Sequence, residues 1–150
     1  MADRSYVAAN REERNRLEAL LARLSDQELG RPLESGWTIA AVLGHLAFWD
    51  QRILVLIEQW RKAGAAAVPK PFDESNVDWI NDATKPMLLA VPPRRAAELV
   101  MGIANTVDAA VETLPDDLVS RNVAAGHPVN LLRATHRREH REEIERALGK

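Results

Sequence analysis

The sequence predicts an all-α protein, a four-helix bundle, and three observations carry that reading. Apolar residues recur at three- and four-residue intervals in four long stretches. Clusters of proline and glycine separate those stretches. Strand-type alternation is absent except locally, within residues 64–73. Four such stretches, each long enough for several turns, pack most simply as a bundle.

The first stretch runs from Ser5 to Leu24, with Leu17, Leu20, Leu21 and Leu24 on one face. Ser25 and Glu28 then form a capping-box pattern that opens a short helical turn. Gly30, Pro32 and Gly36 break the chain. The second helix starts at an N-cap, Thr38, and continues to Ala63, about seven turns. Ile39, Val42, Leu43, Leu46, Trp49, Ile53, Ile57 and Trp60 form its wide apolar stripe. Residues 64–73, GAAAVPKPFD, cannot form a continuous helix and read as an excursion from one end of the bundle.

A shorter helical piece, Asn76 to Leu89, follows with Ser75 as its cap. Pro92 and Pro93 separate it from the third long helix, Arg94 to Leu114, and proline suits a helix start. Leu99, Ile103, Val107, Ala110 and Leu114 give that helix its inward face, and Pro115 ends it. A loop over residues 115–129 leads to Asn130, the expected cap of a fourth helix running through Ala147, with Gly149 as the stop signal. No internal repeat is present, and residues 1–150 read as one domain.

Composition narrows the function classes. Hydrophobic residues make up 46% and charged residues 28%, which fits a globular protein and not a disordered one. The net charge is -2, and no basic block interleaved with aromatics suggests a nucleic-acid surface. The arginines of RREHRE lie among glutamates and read as a solvated helix face. No uninterrupted apolar run reaches the ~20 residues of a membrane span, and the first 20 residues lack the apolar centre of a signal peptide. The absence of cysteine removes disulfides and thiol nucleophiles from consideration. A cytoplasmic location is the default expectation.

With no cysteine and four histidines, a transition-metal site must draw on His, Asp and Glu. His136 and His140 stand four apart, on one face of the fourth helix. They extend an i, i+4 row with Leu132 and Ile144, beside the apolar seam. His45 lies at the edge of the second helix's stripe, and the three converge if these helices are neighbours. Three protein ligands with open positions would suit a catalytic rather than a structural ion. The plainer alternative stays open: a lone histidine at a stripe edge such as His45 is more often a packed, hydrogen-bonded core residue, and an HxxxH pair also arises by chance. His127, before Pro128, reads as an ordinary loop histidine.

Two long motifs then resemble a known family. GWTIAAVLGHLAFWD, residues 36–50, resembles the second-helix signature of the DinB/YfiT-like superfamily, and HRREHREEIERAL, residues 136–148, resembles its closing motif. DESNVDWIND and ETLPDDLV match intermediate features, so the resemblance covers Arg16 to Leu148. It implies an up-down-down-up four-helix bundle with a divalent metal, Zn or Ni, near one end. The family's three ligands map onto His45, His136 and His140. The chain departs from the pattern at Glu143, where the family keeps Gln, and at Glu142, where it keeps a small residue. Glu143 is a candidate to orient a ligand, against plain solvation. Asp50 is a candidate to orient a ligand or bind substrate, but reads first as an exposed helix acid.

The resemblance implies a metal-dependent enzyme acting on small electrophiles with a low-molecular-weight thiol cosubstrate such as bacillithiol, mycothiol or glutathione. Metal-assisted hydrolysis and a non-enzymatic, stress-associated metal-binding bundle are the alternatives. Trp49, Trp79 and Phe72 are candidate pocket walls, although such residues at helical spacing are more often core. The resemblance also implies a homodimer. Phe48, Leu54 and Leu56, flanking the main stripe of the second helix, are candidates for its cover.

Overall fold

The computed structural model describes residues 2–149. Those residues form seven α-helices: α1 (Tyr6–Ala22), α2 (Asp26–Leu29), α3 (Ile39–Ala63), α4 (Val77–Leu89), α5 (Pro93–Glu112), α6 (Asp116–Ala124) and α7 (Ala134–Leu148). A 3-10 turn, Glu74–Asn76, precedes α4. Among the described residues the only β-type pairing is an isolated bridge, Pro32 to Thr38. The all-helical expectation holds. Helix α3 packs on α5, α4 and α7, while α1 packs on α7 and α5.

Local chemistry explains most boundaries. Thr38 Oγ1 accepts from Ala41 N at 3.0 Å and starts α3. Ser25 and Glu28 form the full capping box that starts α2. Pro93 occupies the first turn of α5, where its missing N–H costs nothing. Gly149 ends α7 with a φ of 69°, a left-handed conformation that glycine adopts freely.

Several expectations need correction. The loop expected over 115–129 contains α6, which starts at Pro115-Asp116-Asp117, itself a helix-start pattern, and buries Leu118, Val119 and Asn122. Ser75 does not cap α4; Asp73 accepts from its backbone N–H and hydroxyl. Asn130 does not cap α7, which begins at Ala134. The cap comes from α1 instead: Asn10 Oδ1 accepts from Arg133 N at 2.7 Å and Ala134 N at 2.9 Å. The inward face of α5 is shifted from the expected register. Ala96, Ala97, Val100, Ala104, Val107 and Val111 are buried, whereas Leu99 is exposed. Alanine and valine thus form the buried face of this helix, which packs on α3 and α1.

Helix α3 is long and apolar enough to cross a membrane by length and composition, although no uninterrupted run suggested it. Most of that apolar window is buried inside the protein.

The core has two apolar clusters. One gathers Leu17, Leu20, Leu43, Leu46, Val100 and Ile144; the other gathers Ile53, Ile57, Trp60, Val111, Leu118 and Val129. A buried polar layer falls between them. In α1 it holds Asn10 and Glu13, in α3 Asp50, and in α7 Arg137 and Arg141, with Arg133 just before α7. Asp108 of α5 completes it.

Candidate metal centre

The charged layer positions the site, and it overturns two readings of the sequence. Of the arginines of RREHRE only Arg138 lies on the solvated face: Arg137 and Arg141 are buried, as is Arg133 just before the helix, and Arg137 is only 1% exposed. Asp50 is likewise buried rather than exposed. Its Oδ1 accepts from Arg133 Nε at 2.7 Å and its Oδ2 from Arg137 Nη2 at 3.0 Å. Arg137 also forks onto Asp108, at 2.8 and 2.9 Å, and Asp108 accepts from Arg14 at 2.7 Å. Burial works against the Arg137 charge, but Asp108 and Asp50 more than offset it and raise its pKa. Burial alone would raise the Glu13 carboxyl; hydrogen bonds from Arg141 and Arg138 hold it below the usual carboxylate range.

These bonds tie α7 to α1, α3 and α5 and fix the direction of its remaining face. That face carries His136 and His140 toward His45 of α3. The His45 and His136 Nε2 atoms lie 3.1 Å apart. The three ring centroids form a nearly equilateral triangle with sides of 5.0, 5.0 and 4.8 Å. One potential ligand atom from each ring lies within 4.8 Å of the others. The rings cross at 70–80°, edge to face rather than stacked.

This arrangement fits a metal ion. Two nitrogens about 2.0–2.1 Å from one tetrahedral zinc stand about 3.3–3.4 Å apart; the His45–His136 pair is close to that at 3.1 Å, and all three potential ligand atoms lie within 4.8 Å of one another. All three candidate donors are imidazoles, a set suited to Zn, Ni, Cu or Fe. Two of them are held neutral. Burial first, and then the neighbouring His140, pushes His45 down to about 4. Burial, followed by His140, His45 and the nearby arginines, pushes His136 down to about 3. Neutral imidazole is the form that coordinates.

A pH dependence follows. An ordinary histidine titrates near 6.5, so between that value and about 4 the unfolded chain binds more protons than the folded one. Stability must then fall as pH falls. Urea midpoints of metal-free protein are expected to hold steady above pH 7 and decline from about 6.5 toward 4. In His136→Gln the decline should be shallower.

The rings are held differently. Glu143 Oε1 lies 3.3 Å from His140 Nδ1, which assigns the proton to Nδ1 and leaves Nε2 as the free donor. The orienting alternative for Glu143 therefore has a contact behind it. Removing such an outer partner weakens metal binding by about 10–100-fold. Glu143→Ala is expected to do so by zinc titration, whereas Glu143→Gln, which still accepts from Nδ1, should stay near wild type. His45 Nδ1 is buried without a hydrogen-bond partner. Packing orients that ring instead, between Trp37 at 5.7 Å and Trp49 at 6.5 Å.

Asp50 reaches the site only through the arginines that flank His136. His127, at φ 59°, stays outside the cluster, its turn pinned by a bond to Asn122 O. Trp49 donates to Asn81 of α4 and meets Phe72 at 5.6 Å, so both belong to the wall beside His45. Trp79 does not. It is 60% exposed and bonds its neighbour Asn76.

The chain matches the DinB superfamily over residues 9–144. It belongs to that superfamily. It is also similar to a protein of Geobacillus thermodenitrificans strain NG80-2 named "Putative metal-dependent hydrolase", at 35% identity over 81 residues. That similarity covers 53% of this chain and 44% of the relative, so the chain matches less than half the relative's length. No solved structure matches.

Proposed function

We propose that this DinB-superfamily chain holds one divalent ion, Zn or Ni, through His45, His136 and His140, and acts as a metal-dependent enzyme on small molecules. The observation that carries the reading is the convergence of three imidazoles from two helices, with two of them kept neutral by burial. A divalent ion at such a triad supplies Lewis acidity and lowers the pKa of a water or thiol brought to it. The protein's own part is positional. Asp50, Arg133 and Arg137 fix α7, Glu143 holds the His140 tautomer, and the Trp37 and Trp49 rings limit water around His45. We read α1, α3, α5 and α7 as the up-down-down-up four-helix bundle of the superfamily, supported by their pairwise packing.

The similarity to a relative named as a hydrolase favours hydrolysis as the reaction. Membership of the superfamily supports thiol-dependent transfer as the second reading. One assay separates them: zinc- or nickel-loaded protein with a panel of activated esters, amides and alkyl halides, with and without bacillithiol, mycothiol or glutathione. Turnover in water alone assigns hydrolysis, and turnover that requires a thiol assigns transfer. Absence of both supports a non-catalytic metal-binding role. We also propose that the protein acts in the cytoplasm as a homodimer, for which half-buried Phe48, Leu54 and Leu56 offer apolar surface.

A further inference from the structure

The arginines of the buried layer all find carboxylates, but Arg52 does not. It lies seven residues after His45, on the same face of α3 and about 10.5 Å further along its axis. Its guanidinium carbon sits 4.3 Å from the centre of the Phe72 ring and 6.0 Å from that of Trp49. A ring contact of this kind is to the delocalised charge and leaves the N–H donors of the guanidinium without acceptors. Among the described residues Arg52 makes no hydrogen bond and no ion pair. It nevertheless bears two costs. Burial lowers its pKa, and the nearby Arg133 lowers it further. A half-buried guanidinium beside a second cation, with no acid to offset either cost, leaves a gap in the local charge balance. A second cation borders the other aromatic wall: Lys85 Nζ stands 5.5 Å from the Trp37 ring and, among the described residues, also has no carboxylate partner.

We propose that Arg52 binds the anionic end of the substrate, a carboxylate or phosphate, on a small molecule whose body lies along Trp49 and Phe72 toward the three histidines. The guanidinium fork matches both anions with paired, charge-assisted hydrogen bonds. Phe72 holds the guanidinium in place at 4.3 Å, and Trp49, itself anchored by Asn81, gives an apolar path from Arg52 to His45. The proposal rests on the triad being the reactive end of the site.

The test uses three probes of one shape, benzoate, phenyl phosphate and neutral benzamide, titrated by calorimetry into zinc-loaded protein. At least one anion is expected to bind about tenfold more tightly than benzamide, the effect of one charge-assisted hydrogen bond. Which anion wins assigns carboxylate or phosphate. Arg52→Gln should abolish the preference, and Arg52→Lys should restore part of it, with zinc content unchanged in both. Equal binding of all three probes, or a preference that survives Arg52→Gln, would overturn the proposal. His136→Ala separates this from the metal reading. A preference that persists there supports Arg52 as the anion site whatever the metal result, whereas one lost there but kept in Arg52→Gln places the anion at the histidines and overturns it.

Discussion

Arg137→Ala is expected to lower the unfolding free energy by about 3–5 kcal/mol, read from urea midpoints. Arg137 is fully enclosed, and its guanidinium satisfies carboxylates from two different helices. Removing it leaves Asp50 with Arg133 alone and Asp108 with Arg14 alone, inside a layer closed above and below by apolar clusters. A buried carboxylate that loses a partner bears the desolvation cost without the offsetting attraction. Arg95→Ala provides the contrast. Its bond to Glu98 is exposed, and such pairs are worth about 0–1 kcal/mol. The double change Arg137→Met with Asp108→Leu should cost less than Arg137→Ala, because it removes charges together and refills the space. A loss below about 1 kcal/mol for Arg137→Ala would mean that water, not packing, surrounds this layer.

What the sequence could show follows from how locally each feature is encoded. The helices other than α6 were legible because periodicity, the Thr38 cap, the Ser25–Glu28 box and Pro93 are written within a few residues of what they cause. The polar layer was not. Asp50 meets Arg137 across 87 residues, and Asn10 caps α7 from 124 residues away. Read one segment at a time, Asp50 and the α7 arginines are charged residues on helices, for which exposure is the ordinary expectation. A sign was nonetheless present: the inward face of α7 contains few apolar residues besides Ala134 and Ile144, so something polar had to fill the seam. The histidines were legible as candidates because HxxxH is local and His45 borders the α3 stripe, and the resemblance then favoured His45 as a ligand over a packed core residue. Arg52 was passed over because its meaning lies in a missing partner, which only three-dimensional neighbours reveal.

The second large effect concerns the metal. Saturating zinc or nickel is expected to stabilise the wild-type protein by about 4 kcal/mol at a free concentration a thousand times the dissociation constant. The stabilisation should appear as a higher thermal midpoint, and it should vanish in His45→Ala, His136→Ala and His140→Ala alike. Each variant leaves two imidazoles, both on α7 in His45→Ala and one on each helix in the others, and a two-ligand site loses most of its affinity. The loss should be metal-specific. The metal-free midpoints of the three variants should differ from wild type far less than that of Arg137→Ala, because the half-buried rings of His136 and His140 contribute little packing. A variant that keeps the full metal-dependent shift would remove its histidine from the ligand set.

The most direct test of the central claim is the metal content of untagged protein, measured by mass spectrometry of the elements for wild type and the three histidine variants. The account predicts close to one equivalent of zinc or nickel in wild type and almost none in each variant. Wild-type protein that binds no divalent ion, even after reconstitution at neutral pH, would contradict it and leave the three imidazoles as a hydrogen-bonded cluster.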